Sequence, residues 1–162
     1  MDAGSDMITT NSYGIIPGVG FSKNDIERYA ALSGKIALNS TTKTNRRSSS
    51  PFIVCGSLGP LVESYRPDLI MDHSSGVEYY KIMANSLSPY VDVYLAETMS
   101  SVEEASQYEN GMLRSGEDDI TSLRTITCTN RIYYKSINEI NENKLTKDLF
   151  NRNFIFYLFV IN

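Results

Sequence analysis

The chain has 162 residues, of which 41% are hydrophobic and 21% charged, with a formal charge of −4 and a pI near 5.0. That is enough apolar material for one domain with a sizeable core, and too much for a wholly disordered chain. The acidic balance argues against a nucleic-acid partner, and the basic stretch at residues 43–47 reads as a solvated linker. Cys55 and Cys128 make neither a disulfide framework nor a metal-ligand spacing. No apolar signal segment follows Met1 and no stretch is long enough to span a membrane, so the expectation is a cytoplasmic, reducing compartment.

Residues 7–10 are the first strand candidate, followed by the polar turn Asn11-Ser12-Tyr13-Gly14. Ile15-Ile16-Pro17-Gly18-Val19-Gly20-Phe21 completes no phosphate-binding motif and reads as a plain loop. Asn24 and Glu27 have the spacing of a helix-starting pair. Ile26, Tyr29, Ala30, Ile36 and Ala37 then recur on one helical face, with Gly34 costing that helix about 1 kcal/mol against Ala. Residues 40–50 are Ser/Thr-rich and basic, a loop.

Residues 52–55 form a second apolar strand that runs into Gly56-Ser57-Leu58-Gly59-Pro60. These small residues predict a turn with backbone N–H groups open to a ligand carboxylate, or simply a tight turn. Cys55 reads as a small core hydrophobe. The sole histidine, His73, lies in a loop without a nucleophile nearby and receives no role. Ser75 and Glu78 predict the next helix start, and Val77, Tyr80, Met83, Ala84 and Leu87 its buried face, which Pro89 ends.

The third strand, residues 91–95, is short and apolar with one early Asp, as suits a strand buried on both faces. It stops at Glu97. Ser100 and Glu103 then have the capping-box spacing of a new helix. Strand, helix, strand, helix, strand, helix start implies a parallel sheet with packed helices, an α/β fold. Ligands bind at the carboxyl ends of strands in such folds, which singles out Glu97.

Composition changes after Tyr108. Beyond residue 129 the chain is Asn, Ile, Lys, Phe, Tyr and Leu with little else, and Gly, Ala and Pro have disappeared. The residues share A/T-rich codons, as translated non-coding sequence would. Residues 1–108 are therefore expected as one domain and 109–162 as a divergent tail outside it. Residues 137–150 keep some apolar periodicity, and 154–161 are apolar and aggregation-prone.

Three segments together resemble the homocysteine S-methyltransferase family, also called the homocysteine-binding domain. They are Asp6-Met7-Ile8-Thr9-Thr10-Asn11-Ser12-Tyr13, Val54-Cys55-Gly56-Ser57-Leu58-Gly59-Pro60 and Asp92-Val93-Tyr94-Leu95-Ala96-Glu97-Thr98-Met99. They occur in the family's order and near its spacing, and Glu63-Ser64-Tyr65-Arg66-Pro67-Asp68 fits the loop after the second. The resemblance implies a partial (β/α)8 TIM barrel, about strands 2–4 with their helices, covering residues 1–108. It implies transfer of a methyl group from a donor such as S-methylmethionine, betaine or methylfolate to the homocysteine thiol, giving methionine. In the family a cysteine-held zinc ion binds that thiol. By resemblance Glu97 pairs with the substrate ammonium, and Thr10, Asn11, Gly56 and Ser57 line the pocket.

The chain departs from the family pattern. The glycine-rich first strand would precede Met1, and the later Asn-Cys and Cys-Cys zinc-ligand motifs do not occur. No metal ligand and no catalytic residue is assigned. The expectation is an incomplete and inactive homocysteine S-methyltransferase. The alternatives are a non-catalytic truncated isoform, a gene-model fragment, or an unrelated βα-barrel enzyme. A Schiff-base aldolase would need a strand lysine, and none of the three strands has one.

Overall fold

The computed structural model describes Ser5 and residues 7–43, 52–114 and 121–124. Strands and helices alternate through them: β1 (Met7–Thr9), α1 (Lys23–Thr41), β2 (Ile53–Leu58), α2 (His73–Leu87), β3 (Val93–Ala96), α3 (Val102–Arg114) and β4 (Thr121–Arg124). Single 3-10 turns occupy Pro17–Val19, in the loop before α1, and Ser88–Tyr90, where Pro89 ends α2. The four strands form one sheet in the order β1-β2-β3-β4, and every pairing is parallel. This is the adjacency expected of consecutive βα units. The sequence placed a domain boundary at residue 108, which falls inside α3, and β4 lies beyond it. The expectations for residues 44–50, Cys128 and the stretch from 129 to 162 lie outside the described residues.

Strand bounds differ from the sequence expectation for a reason of pairing. Gly56, Ser57 and Leu58 belong to β2 instead of a turn, because each has a partner on β3: Tyr94, Leu95 and Ala96. β3 begins at Val93, not Val91. Asp92 instead braces the entry to the sheet: its carboxylate accepts the Val54 N–H at 2.7 Å and its own N–H donates to the Val54 carbonyl at 2.8 Å.

The helix starts also shift. α1 is capped by Ser22 and Asp25, which form a reciprocal capping box, and not by Asn24 and Glu27. α3 is capped one residue later than expected, with the Glu104 N–H donating to Ser101 Oγ at 3.0 Å. α2 is capped by Asp72, not by Ser75 and Glu78. Polar residues recur so densely before each helix that several spacings satisfy the capping pattern. The direction in which the chain leaves the preceding segment selects one of them.

Asp72 gives the fold an acid-sensitive point. Hydrogen bonds from Ser75 and then Ser74 hold its carboxyl down at about 2, against an ordinary value of 3.8. A lowered carboxylate pKa contributes stability above the unfolded value, and that contribution disappears as pH falls through the folded one. The first turn of α2 is therefore expected to loosen between pH 3.8 and about 2. Amide exchange at Gly76 followed against pH, with Asp72→Asn as the control, checks this; an exchange profile identical in the two proteins would refute it.

The sheet has two different faces. Leu58, Tyr94 and Ala96 pack with Ile26 and Ala30 of α1, Tyr80, Met83, Ala84 and Leu87 of α2, and Tyr108 of α3. Cys55 and Leu95 lie on the opposite face with Met7, Ile53 and Val93 around them. The period of two along each strand places Ser57 on this second face too, ahead of Cys55 toward the carboxyl end. On α1, Ile36 does not join the buried stripe and is 58% exposed, and Tyr29 is half-buried. Ser33 and Gly34 are buried in their place. A Cβ on Gly34 would stand 2.9 Å from the Tyr90 ring, so this glycine gives up helix propensity to let α1 approach the end of α2.

Candidate functional site

The carboxyl ends of β1, β2 and β3 bring together the residues that lie far apart in sequence. In a parallel ladder Ser57 turns its N–H and carbonyl toward β1, as Cys55 does when its carbonyl accepts the Thr10 N–H at 2.8 Å. β1 ends at Thr9, so no ladder partner reaches Ser57. Side chains substitute for one. Thr10 Oγ1 accepts the Ser57 N–H at 2.9 Å, Ser12 Oγ donates to the Ser57 carbonyl at 2.6 Å, and Thr10 and Ser12 are 2.6 Å apart. On the other side, the Glu97 N–H continues the β2–β3 ladder by donating to the Leu58 carbonyl at 2.9 Å. Ser57 Oγ donates to Glu97 Oε2 at 2.5 Å, a charge-assisted bond.

Of the five residues singled out from sequence, three are joined by direct hydrogen bonds: Thr10, Ser57 and Glu97. Thr10 and Ser57 are buried, at 3% and 2% exposure, while Glu97 is part-exposed. Gly56 is buried with its helix-side face against the Tyr94 ring. Asn11 is exposed and faces elsewhere, into a groove of about 580 Å³ between β1 and α1 lined by Ile8, Phe21, Tyr29, Leu32 and Ile36. That groove has no charged residue and does not include Glu97, so the polar strand ends and not the groove carry the candidate chemistry. The open N–H groups expected at Gly56-Ser57 are corrected on one point: the Ser57 N–H is already bound by Thr10.

Sequence reading missed Ser12, which is wholly buried. Its signal was the Thr-x-Ser spacing at a strand end, but nothing in the spacing names the partner on β2. Thr98, directly after Glu97, has a φ of 60°. A β-branched residue in the left-handed region is strained, and the strain sits where the chain turns from β3 toward α3.

Two further groups are set aside by their geometry. His73 Nδ1 is 2.7 Å from Glu103 Oε1, and both are exposed, so the histidine joins α2 to α3 at the surface. This bond holds the Glu103 carboxyl below its ordinary value. Cys55 is fully buried, and burial first, then Asp92 and Glu97, push its thiol up to about 12. A thiol so held is not a thiolate at neutral pH. Among the described residues no three His, Cys, Asp or Glu side chains could hold a metal ion together. The described residues therefore do not fit the cysteine-held zinc of the resemblance.

Residues 1–146 match the family described as homocysteine S-methyltransferase. The chain belongs to the homocysteine S-methyltransferase family. The match extends past residue 108, so the family relationship includes α3 and β4 as well as the three segments on which the resemblance was read. No curated protein matches the chain. Among the described residues of this family member, no helix is long and apolar enough to cross a membrane.

Proposed function

We propose that this chain carries the amino-acid-binding part of a homocysteine S-methyltransferase pocket, with Glu97 as the partner of the substrate ammonium. The observation that supports it most is the Ser57–Glu97 contact: a part-exposed carboxylate fixed at the carboxyl end of a parallel strand by a neighbouring strand's hydroxyl. A carboxylate accepts only, and an ammonium donates only, so the two are matched. The parallel order β1-β2-β3-β4 is consistent with successive strands of a (β/α)8 barrel, β1 to β3 being its second to fourth and β4 the next.

Methyl transfer in such a site forms a bond between the homocysteine sulfur and the donor's methyl carbon while the donor's bond to that methyl breaks. The sulfur must be a thiolate, and a free thiol of pKa about 8.5 is only a few per cent ionised at pH 7. The Asn-Cys and Cys-Cys motifs that would hold the activating zinc do not occur in the sequence, so we assign this chain substrate binding without turnover, in a cytoplasmic setting. Residues 1–108 are proposed as the pocket-bearing part, with 109–162 outside the pocket.

The test uses the full 162-residue chain, titrated calorimetrically with L-homocysteine and assayed for zinc and for methionine formation with S-methylmethionine. Saturable homocysteine binding without stoichiometric zinc or turnover is expected. Absence of binding would overturn the pocket, and one zinc per chain with methionine formed would overturn the inactive reading.

A further inference from the structure

The hydrogen bonds around Ser57 have only one possible proton order. Ser12 Oγ has a single proton, and the Ser57 carbonyl takes it at 2.6 Å. Ser12 then has nothing left to give Thr10, so at 2.6 Å Thr10 Oγ1 donates and Ser12 accepts. Thr10 Oγ1 in turn accepts the Ser57 N–H at 2.9 Å. The ring closes: Ser57 N–H to Thr10, Thr10 to Ser12, Ser12 back to the Ser57 carbonyl. Ser12 is 0% exposed, so water cannot replace any member cheaply.

We propose that Ser12 is a positioning residue for Glu97, acting through this ring on Ser57; the proposal deepens the functional reading above and rests on it. With both backbone groups of Ser57 tied to the end of β1, its side chain stands where the hydroxyl proton goes to Glu97 Oε2. Every proton of the set is then committed. The Thr10 hydroxyl, the Ser57 hydroxyl and the Ser57 N–H have none to offer a ligand, and these side chains present acceptors alone. Such a surface selects a cationic donor and rejects an anion, so a zwitterionic ligand places its ammonium here and its carboxylate elsewhere. An alanine at position 12 strands the Ser57 carbonyl, opens the ring and frees Ser57 to turn away from Glu97.

The experiment measures binding by the full chain of three thiols: L-homocysteine, 3-mercaptopropylamine, which lacks the carboxylate, and 4-mercaptobutanoate, which lacks the ammonium. Ser12→Ala is expected to weaken the two ammonium ligands about 5- to 10-fold and leave 4-mercaptobutanoate unchanged. Ser12→Thr, which keeps a hydroxyl, is expected to restore affinity, and Ser12→Ala is expected to add nothing in a Glu97→Gln background. Equal weakening of all three ligands, or full additivity with Glu97→Gln, would mark Ser12 as merely structural and overturn the proposal. Ser57→Ala keeps the ring and removes only the donation to Glu97, so it must show the same ligand selectivity if Ser12→Ala does not fold. If the unmodified chain binds no homocysteine, the functional reading fails separately. Amide exchange then judges the ring: a Ser57 N–H protected in the parent and exchanging at least about tenfold faster in Ser12→Ala supports it, and an unchanged rate overturns it.

Discussion

Glu97→Gln is expected to weaken homocysteine binding about 10- to 100-fold. The amide has nearly the shape of the carboxylate but no charge, and it brings a donor to a place where the ligand also donates. A hydrogen bond to a charged group contributes about 1.5–3 kcal/mol, which corresponds to that range of affinity. The neighbouring bond sharpens the expectation. Ser57 Oγ lies 2.5 Å from Oε2 and must donate to it, so the glutamine would turn its carbonyl oxygen to Ser57. That turn leaves the NH2 pointing at the ligand's ammonium, two donors facing each other. Calorimetric titration of parent and variant measures the loss, with 4-mercaptobutanoate as the ligand whose affinity should not fall. Homocysteine affinity unchanged in the variant would remove Glu97 from the site.

Tyr80→Ala is expected to destabilise the fold by about 3–5 kcal/mol, the range for removing a large buried aromatic side chain. Tyr80 is fully buried in α2, its ring meets Tyr108 of α3 edge-on at 5.7 Å, and its hydroxyl donates to the Gly59 carbonyl at 3.1 Å. Burial first, then Glu104 and the neighbouring tyrosines, hold the phenol far above its ordinary pKa, so it remains a donor. The contact joins two helices to the chain just beyond β2. Since whole domains are stable by only about 5–15 kcal/mol, such a loss removes a large part of the total. Tyr80→Phe keeps the ring packing and should cost only about 1 kcal/mol. Urea unfolding of the three proteins separates the two contributions; a Tyr80→Ala midpoint equal to that of the parent would mean the α2–α3 contact contributes nothing.

How much was legible depends on the range of the interaction that fixes each feature. The parallel arrangement of β1, β2 and β3 was readable because it follows from local pattern: apolar runs near residues 7, 53 and 93, separated by helical periodicity. Its extension by β4 was not, because the composition of the chain after residue 108 pointed away from the sheet. Glu97 was readable as the residue closing a strand. The caps were readable in kind and not in register, since Ser22, Asp72 and Ser101 compete with equally suitable neighbours.

The sequence by itself determined the α/β class and the family. These rest on residue type, period and short motifs, which a single chain displays openly. Tertiary structure alone decided that Thr10, Ser12, Ser57 and Glu97 form one hydrogen-bonded set. Positions 12 and 57 are 45 residues apart, and positions 57 and 97 are 40 apart. Their meeting depends on β1 stopping two residues short of its neighbour's need. Only the lengths of paired strands, set against each other, leave the Ser57 backbone without a ladder partner and give two hydroxyls the task of replacing it.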